Sequence, residues 1–201
     1  MKFDNLFISE EKPYKGVSVR DKFLARVFGI FNEEIIKIWC ENSKSPFSNV
    51  GRPTIYDKDG RYYTLDFLLK DEKGNLFVTE MKCEIEYQKY KNLTLSNSKQ
   101  LNHHRTKRAF QLFLENAVSP NKHSVKVKGE PFRVSGSALV WGRTSSEGIA
   151  SIKNEFSIAH IISTESVVQD LLDWQDERYS SYIQEYQNWS NQLFNGLTGR
   201  E

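Results

Sequence analysis

Cysteine is scarce: the 201 residues contain only Cys40 and Cys83, with no Cys-x-x-Cys pair and no Cys/His cluster. A disulfide framework and a thiolate zinc site are thereby excluded, and both residues are expected to be buried free thiols. Long apolar runs are missing as well, none approaching the roughly 20 residues that a membrane helix needs. The opening MKFDNLFISEEKPYKG carries acids where a secretory leader would be basic and then apolar, so the expectation is a cytoplasmic protein with no membrane partner. Nor is there a dominant charge: 28 Lys and Arg against 26 Asp and Glu leave +2, which alone indicates no class of partner.

What is present points to an ordered chain. Hydrophobic residues at 38% and aromatics at 13% exceed what a disordered sequence carries, and 201 residues suit one domain spanning 1–201. The charge is also uneven. Between Tyr87 and Arg133 stand ten Lys and Arg (Lys89, Lys91, Lys99, Arg105, Lys107, Arg108, Lys122, Lys126, Lys128, Arg133) against Glu115 and Glu130, a net of +8 that leaves the rest at −6. A basic middle of this kind can meet a phosphate backbone, or can be an ordinary solvated surface.

Periodicity divides the chain. Ser18 and Asp21 read as a capped start, and Leu24, Val27, Phe28, Phe31, Ile35, Ile38 and Trp39 recur at helical spacing, predicting a helix over Val19 to Glu41. Asn42 to Pro53 reads as a connecting loop. Three antiparallel strands are then expected at Thr54 to Tyr56, Tyr62 to Leu69 and Leu76 to Ile85, separated by the turn formers Asp57-Lys58-Asp59-Gly60 and Asp71-Glu72-Lys73-Gly74-Asn75. A second helix follows over Lys99 to Asn116, then strands at Phe132 to Gly142 and Phe156 to Ile162. Over about 165–196 the residues Leu172, Tyr179, Tyr186 and Leu193, with Val168, Gln175, Tyr182 and Trp189, repeat every seven positions and predict one long helix. The fold class is α/β, a sandwich around a mixed sheet. The length and aromatic content of the last helix also suggest a homodimer built on it.

The chemistry concentrates on one hairpin. Alternation along a strand puts Glu80, Lys82, Glu84 and Glu86 on one side and Met81, Cys83 and Ile85 on the other, directly after the apolar Leu76, Phe77 and Val78. Asp66 interrupts the other arm between Leu65 and Phe67, where a lone buried acid is costly. The short Asp71 to Asn75 turn can bring Asp66 and Glu80 to the same level of the sheet, and two such carboxylates repel unless a positive charge joins them. A hard divalent cation such as Mg²⁺ meets that need, and Lys82 beside it could orient an attacking water. The competing arrangement is an Asp66 to Lys82 salt bridge with Glu80 solvated.

The stretch TLDFLLKDEKGNLFVTEMK, with Asp66, thirteen intervening residues and Glu80-Met81-Lys82, resembles the PD-(D/E)XK or restriction endonuclease-like nucleases. The resemblance covers roughly Ser18 to Ile162 and has Leu65 where the family's name-giving Pro would stand. It implies an α-β-β-β-α-β core, Mg²⁺ (or Mn²⁺) held by Asp66 and Glu80, Lys82 assisting the water, and nucleic acid, DNA foremost, as substrate. Many such proteins add an acid from the first helix; Glu34 is the candidate, bordering the apolar stripe of Val27, Phe31 and Ile38, with Glu41 second and Glu33 on the solvent side. Gln100 and His104 resemble a loose version of a Gln-and-aromatic pair found after E-x-K, which makes Gln100 a further catalytic candidate. His103 and His123 read as solvated. The alternative function is a catalytically silent module of the same fold that binds nucleic acid or a protein partner.

Overall fold

Residues 19–82 and 94–199 are described in the computed structural model, and the expectations for Ser18, Cys83, Glu84, Glu86, Lys89 and Lys91 lie outside the described residues. Helix α1 covers Val19–Glu41. Strands β1 (Phe47–Gly51), β2 (Thr54–Tyr56), β3 (Tyr62–Thr64), β4 (Phe67–Asp71), β5 (Leu76–Lys82) and β6 (Thr94–Leu95) follow, then helix α2 (Arg108–Val118). Next come β7 (Val125–Val127), β8 (Glu130–Phe132), β9 (Gly136–Trp141), β10 (Arg143–Thr144), α3 (Ser146–Phe156), β11 (His160–Ser163), α4 (Thr164–Asp173) and α5 (Glu177–Thr198). No helix among the described residues is long and apolar enough to cross a membrane.

The architecture is α/β with a mixed central sheet in the order β1-β4-β5-β9-β11. β1, β4 and β5 run antiparallel, while β5, β9 and β11 are parallel. One face of this sheet receives α1 and α4, where Ile35, Ile36, Trp39, Phe67, Leu69, Val140, Val168 and Leu171 share a core. On the other face Leu68, Val78, Leu139 and Trp141 pack with Phe110, Leu112 and Phe113 of α2 and with Ile55 and Val125 of a second sheet. Alternate residues of each central strand thus enter opposite cores, as the period of two requires. Cys40 is a buried free thiol in the first core, and burial pushes it up to about 12.

Several elements differ from the sequence expectation. Phe47–Gly51, expected as loop, is the edge strand β1; a bulge between Asn49 and Gly51, with Gly51 at φ 141°, breaks the alternation that would have revealed it. β2 and β3 leave the central sheet and join β7 and β8 in a four-stranded antiparallel sheet of order β3-β2-β7-β8, so the single strand expected over Tyr62 to Leu69 is divided at Leu65 and Asp66. The helix expected from Lys99 begins as two 3-10 turns, Ser98–Leu101 and His104–Thr106, before α2. Phe156 closes helix α3 instead of opening a strand, and that helix starts where Ser145 accepts a hydrogen bond from the Gly148 N–H and stops at Ser157, φ 55°.

The C-terminal seam is likewise two helices. Gln175 adopts φ 54° and Asp176 caps α5 by accepting from the Tyr179 N–H, so the seven-residue repeat crosses a break. Asp176 is buried and also accepts from Asn42 Nδ2 at 2.7 Å, which fixes the break against the end of α1. α5 then runs back along α1, where Phe31 meets the rings of Tyr182 and Tyr186.

Candidate functional site

Asp66 and Glu80 face each other because of register. Phe67 pairs with Thr79 and Leu68 with Val78, and the ladder continues one step through the Asp66 N–H, which donates to the Thr79 carbonyl at 3.2 Å. The Asp71 to Asn75 turn that sets this register is closed by Asp71 itself, whose carboxylate accepts from the Lys73 and Asn75 N–H groups and from Asn75 Nδ2. At Asp66 the chain passes from the second sheet into the central one, and its carboxylate accepts from the Met81 N–H at 2.7 Å.

Glu80 is 4% exposed, and Lys82, two residues on and on the same side of β5, donates from Nζ to Glu80 Oε2 at 2.5 Å and to the Met81 carbonyl at 3.2 Å. Burial pushes the Glu80 carboxyl up to about 7 against the attraction of Lys82, and the neighbouring Asp66 carboxylate pushes it the same way. Asp66, Glu80 and Lys82 therefore converge. The arrangement differs from a simple cross-strand salt bridge, since Lys82 pairs with Glu80 and Glu80 is the buried member.

Two further charged groups belong to this cluster. Arg52 Nη2 lies 3.7 Å from Asp66 Oδ1 and 3.8 Å from Glu33 Oε1, linking α1 to the site. Its position follows from the β2 and β3 ladder: Thr54 pairs with Thr64 and the Leu65 N–H donates to the Pro53 carbonyl, so Arg52 stands opposite Asp66. Sequence reasoning missed Arg52 because Gly51-Arg52-Pro53 reads as turn chemistry, and only the pairing with Leu65 brings it here.

The other candidates stand elsewhere. Glu34 pairs with Lys37 at 2.9 Å and lines a groove with Tyr182 and Tyr186, and α1 packs on the sheet face opposite Val78 and Leu68; Glu33 is the acid of this helix that reaches the cluster, reversing the expectation from the helical wheel. Glu41 pairs with Arg178. Gln100 closes the capping box of its 3-10 turn: Oε1 accepts from the Ser96 and Asn97 N–H groups and Nε2 donates to the Thr94 carbonyl. Its amide is thus engaged in shaping the loop. His123 is buried at 3% exposure, between the Tyr56 carbonyl and Glu115 Oε2, not solvated as expected.

The donor set has a definite chemistry. Two carboxylates and the adjacent Met81 carbonyl are hard oxygens, and among the described residues no group of three or more Asp, Glu, His or Cys gathers as a cage. Such a pair suits a cation that keeps much of its water, as Mg²⁺ does, better than a zinc site of three or four protein ligands. Burial is the main reason Glu80 is held at about 7, and a divalent cation would offset the cost of ionising it in that position beside Asp66. No protein-family model, no curated protein and no solved structure matches this chain, so its chemistry rests on these residues alone.

Proposed function

We propose that the protein is a metal-dependent nuclease that hydrolyses phosphodiester bonds, with DNA as its first substrate. The observation that carries this is the meeting of Asp66, Glu80 and Lys82 at one point where β4 and β5 leave the core. The fold is read as restriction endonuclease-like on the order α1, β1, β4, β5, α2, β9, three antiparallel strands and then a parallel one, with β2, β3, β7 and β8 as additions.

Asp66 and Glu80 would hold Mg²⁺, with Mn²⁺ able to substitute; when bound it neutralises phosphate charge and makes water a better nucleophile. Asp66 is already aimed by the Met81 N–H at one oxygen, and its other oxygen, 3.7 Å from Arg52 Nη2, would be offered to the cation. Glu80 must lose its proton to act as a ligand, so occupancy rises as the pH passes about 7. Lys82, released from Glu80 once that carboxylate is engaged, keeps the Met81 carbonyl as a tether and can orient a water toward the scissile phosphorus.

The same proposal includes a second copy of the chain as partner. Trp189, Leu193, Phe194 and Leu197 of α5 are each about half exposed or more, and Phe23 of α1, also half exposed, sets its ring 6.4 Å from that of Phe194. An exposed apolar stripe of this kind on one helix suits an isologous contact with the same stripe of a second copy.

The test is cleavage of plasmid and single-stranded DNA with Mg²⁺, against an EDTA control. Lys82→Ala and Asp66→Ala, checked for folding by circular dichroism, are expected to lose at least about 10²-fold in rate. Full activity in both variants would overturn the assignment. Metal-independent binding without cleavage would favour the silent-module alternative.

A further inference from the structure

The ladder that places Arg52 beside Asp66 does not end there. Thr54 pairs with Thr64 and Tyr56 with Tyr62, so Arg52 and Asp66, Thr54 and Thr64, and Tyr56 and Tyr62 form three successive levels on one face of the β2 and β3 hairpin. The opposite face is the buried one, carrying Ile55 and Val125. Four residues of strand separate the first level from the last, about 13 Å. An outward sheet face therefore runs directly into the candidate metal centre.

Its far end is aromatic and cationic. Tyr62, on the edge strand β3, is 64% exposed, and its centroid lies 5.8 Å from that of Tyr56. Lys126, opposite Thr54 on β7, sets its Nζ 5.0 Å from the centre of the Tyr56 ring. The segments 52–64 and 122–133 together carry seven Lys and Arg against three acids. Two of those acids are neutralised in place: Asp57 is held by Arg108 at 2.6 and 2.8 Å, and Asp59 by Arg61. Arg61 and Lys122 are themselves engaged by Asp59 and Glu115, yet a polyanion approaching this hairpin meets more ammonium and guanidinium groups than carboxylates.

We propose that this face binds single-stranded nucleic acid, stacking an unpaired base on Tyr62 and leading the strand past Lys126, Thr64 and Arg52 to Asp66 and Glu80. A base in a duplex has both faces covered by its neighbours, whereas an unpaired base has a free π surface for the exposed ring. Lys126 and Arg52 supply the phosphate contacts, which position without reading sequence. Binding by this face is independent of catalysis; only the delivery of the strand to the acids rests on the function proposed above.

The experiment measures anisotropy of a fluorescein-labelled oligo(dT) of roughly 12 residues, and of its duplex with oligo(dA), in EDTA. The native chain is expected to prefer the single strand. Tyr62→Ala weakens that binding roughly tenfold while Tyr62→Phe retains it, and Lys126→Gln flattens the salt dependence by somewhat under one unit of slope. Tyr62 is exposed, so its truncation leaves the core untouched, and thermal melts check the fold. Absence of binding, a preference for the duplex, or undiminished binding by Tyr62→Ala would each overturn the proposal. A separate Mg²⁺ cleavage assay distinguishes the two ideas. No cleavage with Tyr62-dependent binding removes the nuclease and leaves the platform; cleavage with Tyr62-independent binding does the reverse.

Discussion

Replacing Glu80 with Gln removes the charge from a carboxyl that the fold holds at 4% exposure beside a second acid. A group moved from its ordinary 4.5 to about 7 costs the folded state about 3 kcal/mol once it is ionised. The sign follows from which state binds the proton more tightly. Below pH 4.5 both states are protonated and nothing is lost. As the pH climbs through 7 the unfolded chain has already ionised while the folded chain resists, so stability falls, and the full cost is present above 7. The protonated Glu80 carboxyl hydrogen-bonds Asp66, and Gln keeps the shape and a donor for that contact, so it should gain about 2 to 3 kcal/mol over the native chain at pH 8 and little at pH 5. For a chain of this length that is a rise in Tm of about 5 to 10 °C at the higher pH, read by circular dichroism in EDTA. Adding Mg²⁺ at about 100 times its Kd should then raise the native Tm by a similar amount and leave the variant unmoved. An equal Tm difference at both pH values would refute the buried-charge reasoning, and an equal Mg²⁺ effect on both proteins would refute Glu80 as a ligand.

Two further outcomes probe other parts of the molecule. Gly148→Ala should destabilise the protein by about 2 kcal/mol or more in urea melts, because a Cβ there would lie 2.0 Å from the Leu95 carbonyl oxygen, backbone that cannot step aside. Light scattering should give the mass of two chains, reduced to one by Leu193→Glu with Phe194→Glu; a native mass of one chain removes the dimer.

The elements legible in the sequence were those whose signal is local. α1 has the boundaries its apolar spacing predicts, and the β4 and β5 hairpin lies where the Asp71 to Asn75 turn separates two apolar runs. What escaped depends on partners far along the chain. β1 is five residues with a bulge, held as a strand by β4 and by Phe47 against Trp39 and Phe77, and nothing within Phe47–Gly51 alternates. The seven-residue seam was real as a pattern but could not report Gln175, whose left-handed backbone is stabilised by Asp176 reaching both Asn42 and the start of α5.

For the site the same division holds, with one instructive reversal. Asp66, Glu80 and Lys82 were accessible because alternation and a short turn fix register, and register fixes which side chains meet. A helical wheel favours Glu34 over Glu33, yet a wheel describes one helix and says nothing about the strand end that approaches it. Arg52 decides the matter: held opposite Asp66 by the β2 and β3 ladder, it reaches back to Glu33 and not to Glu34. The cluster is therefore assembled by the junction of the two sheets at Leu65 and Asp66, so substitutions that loosen that junction should disturb the carboxylates without touching them.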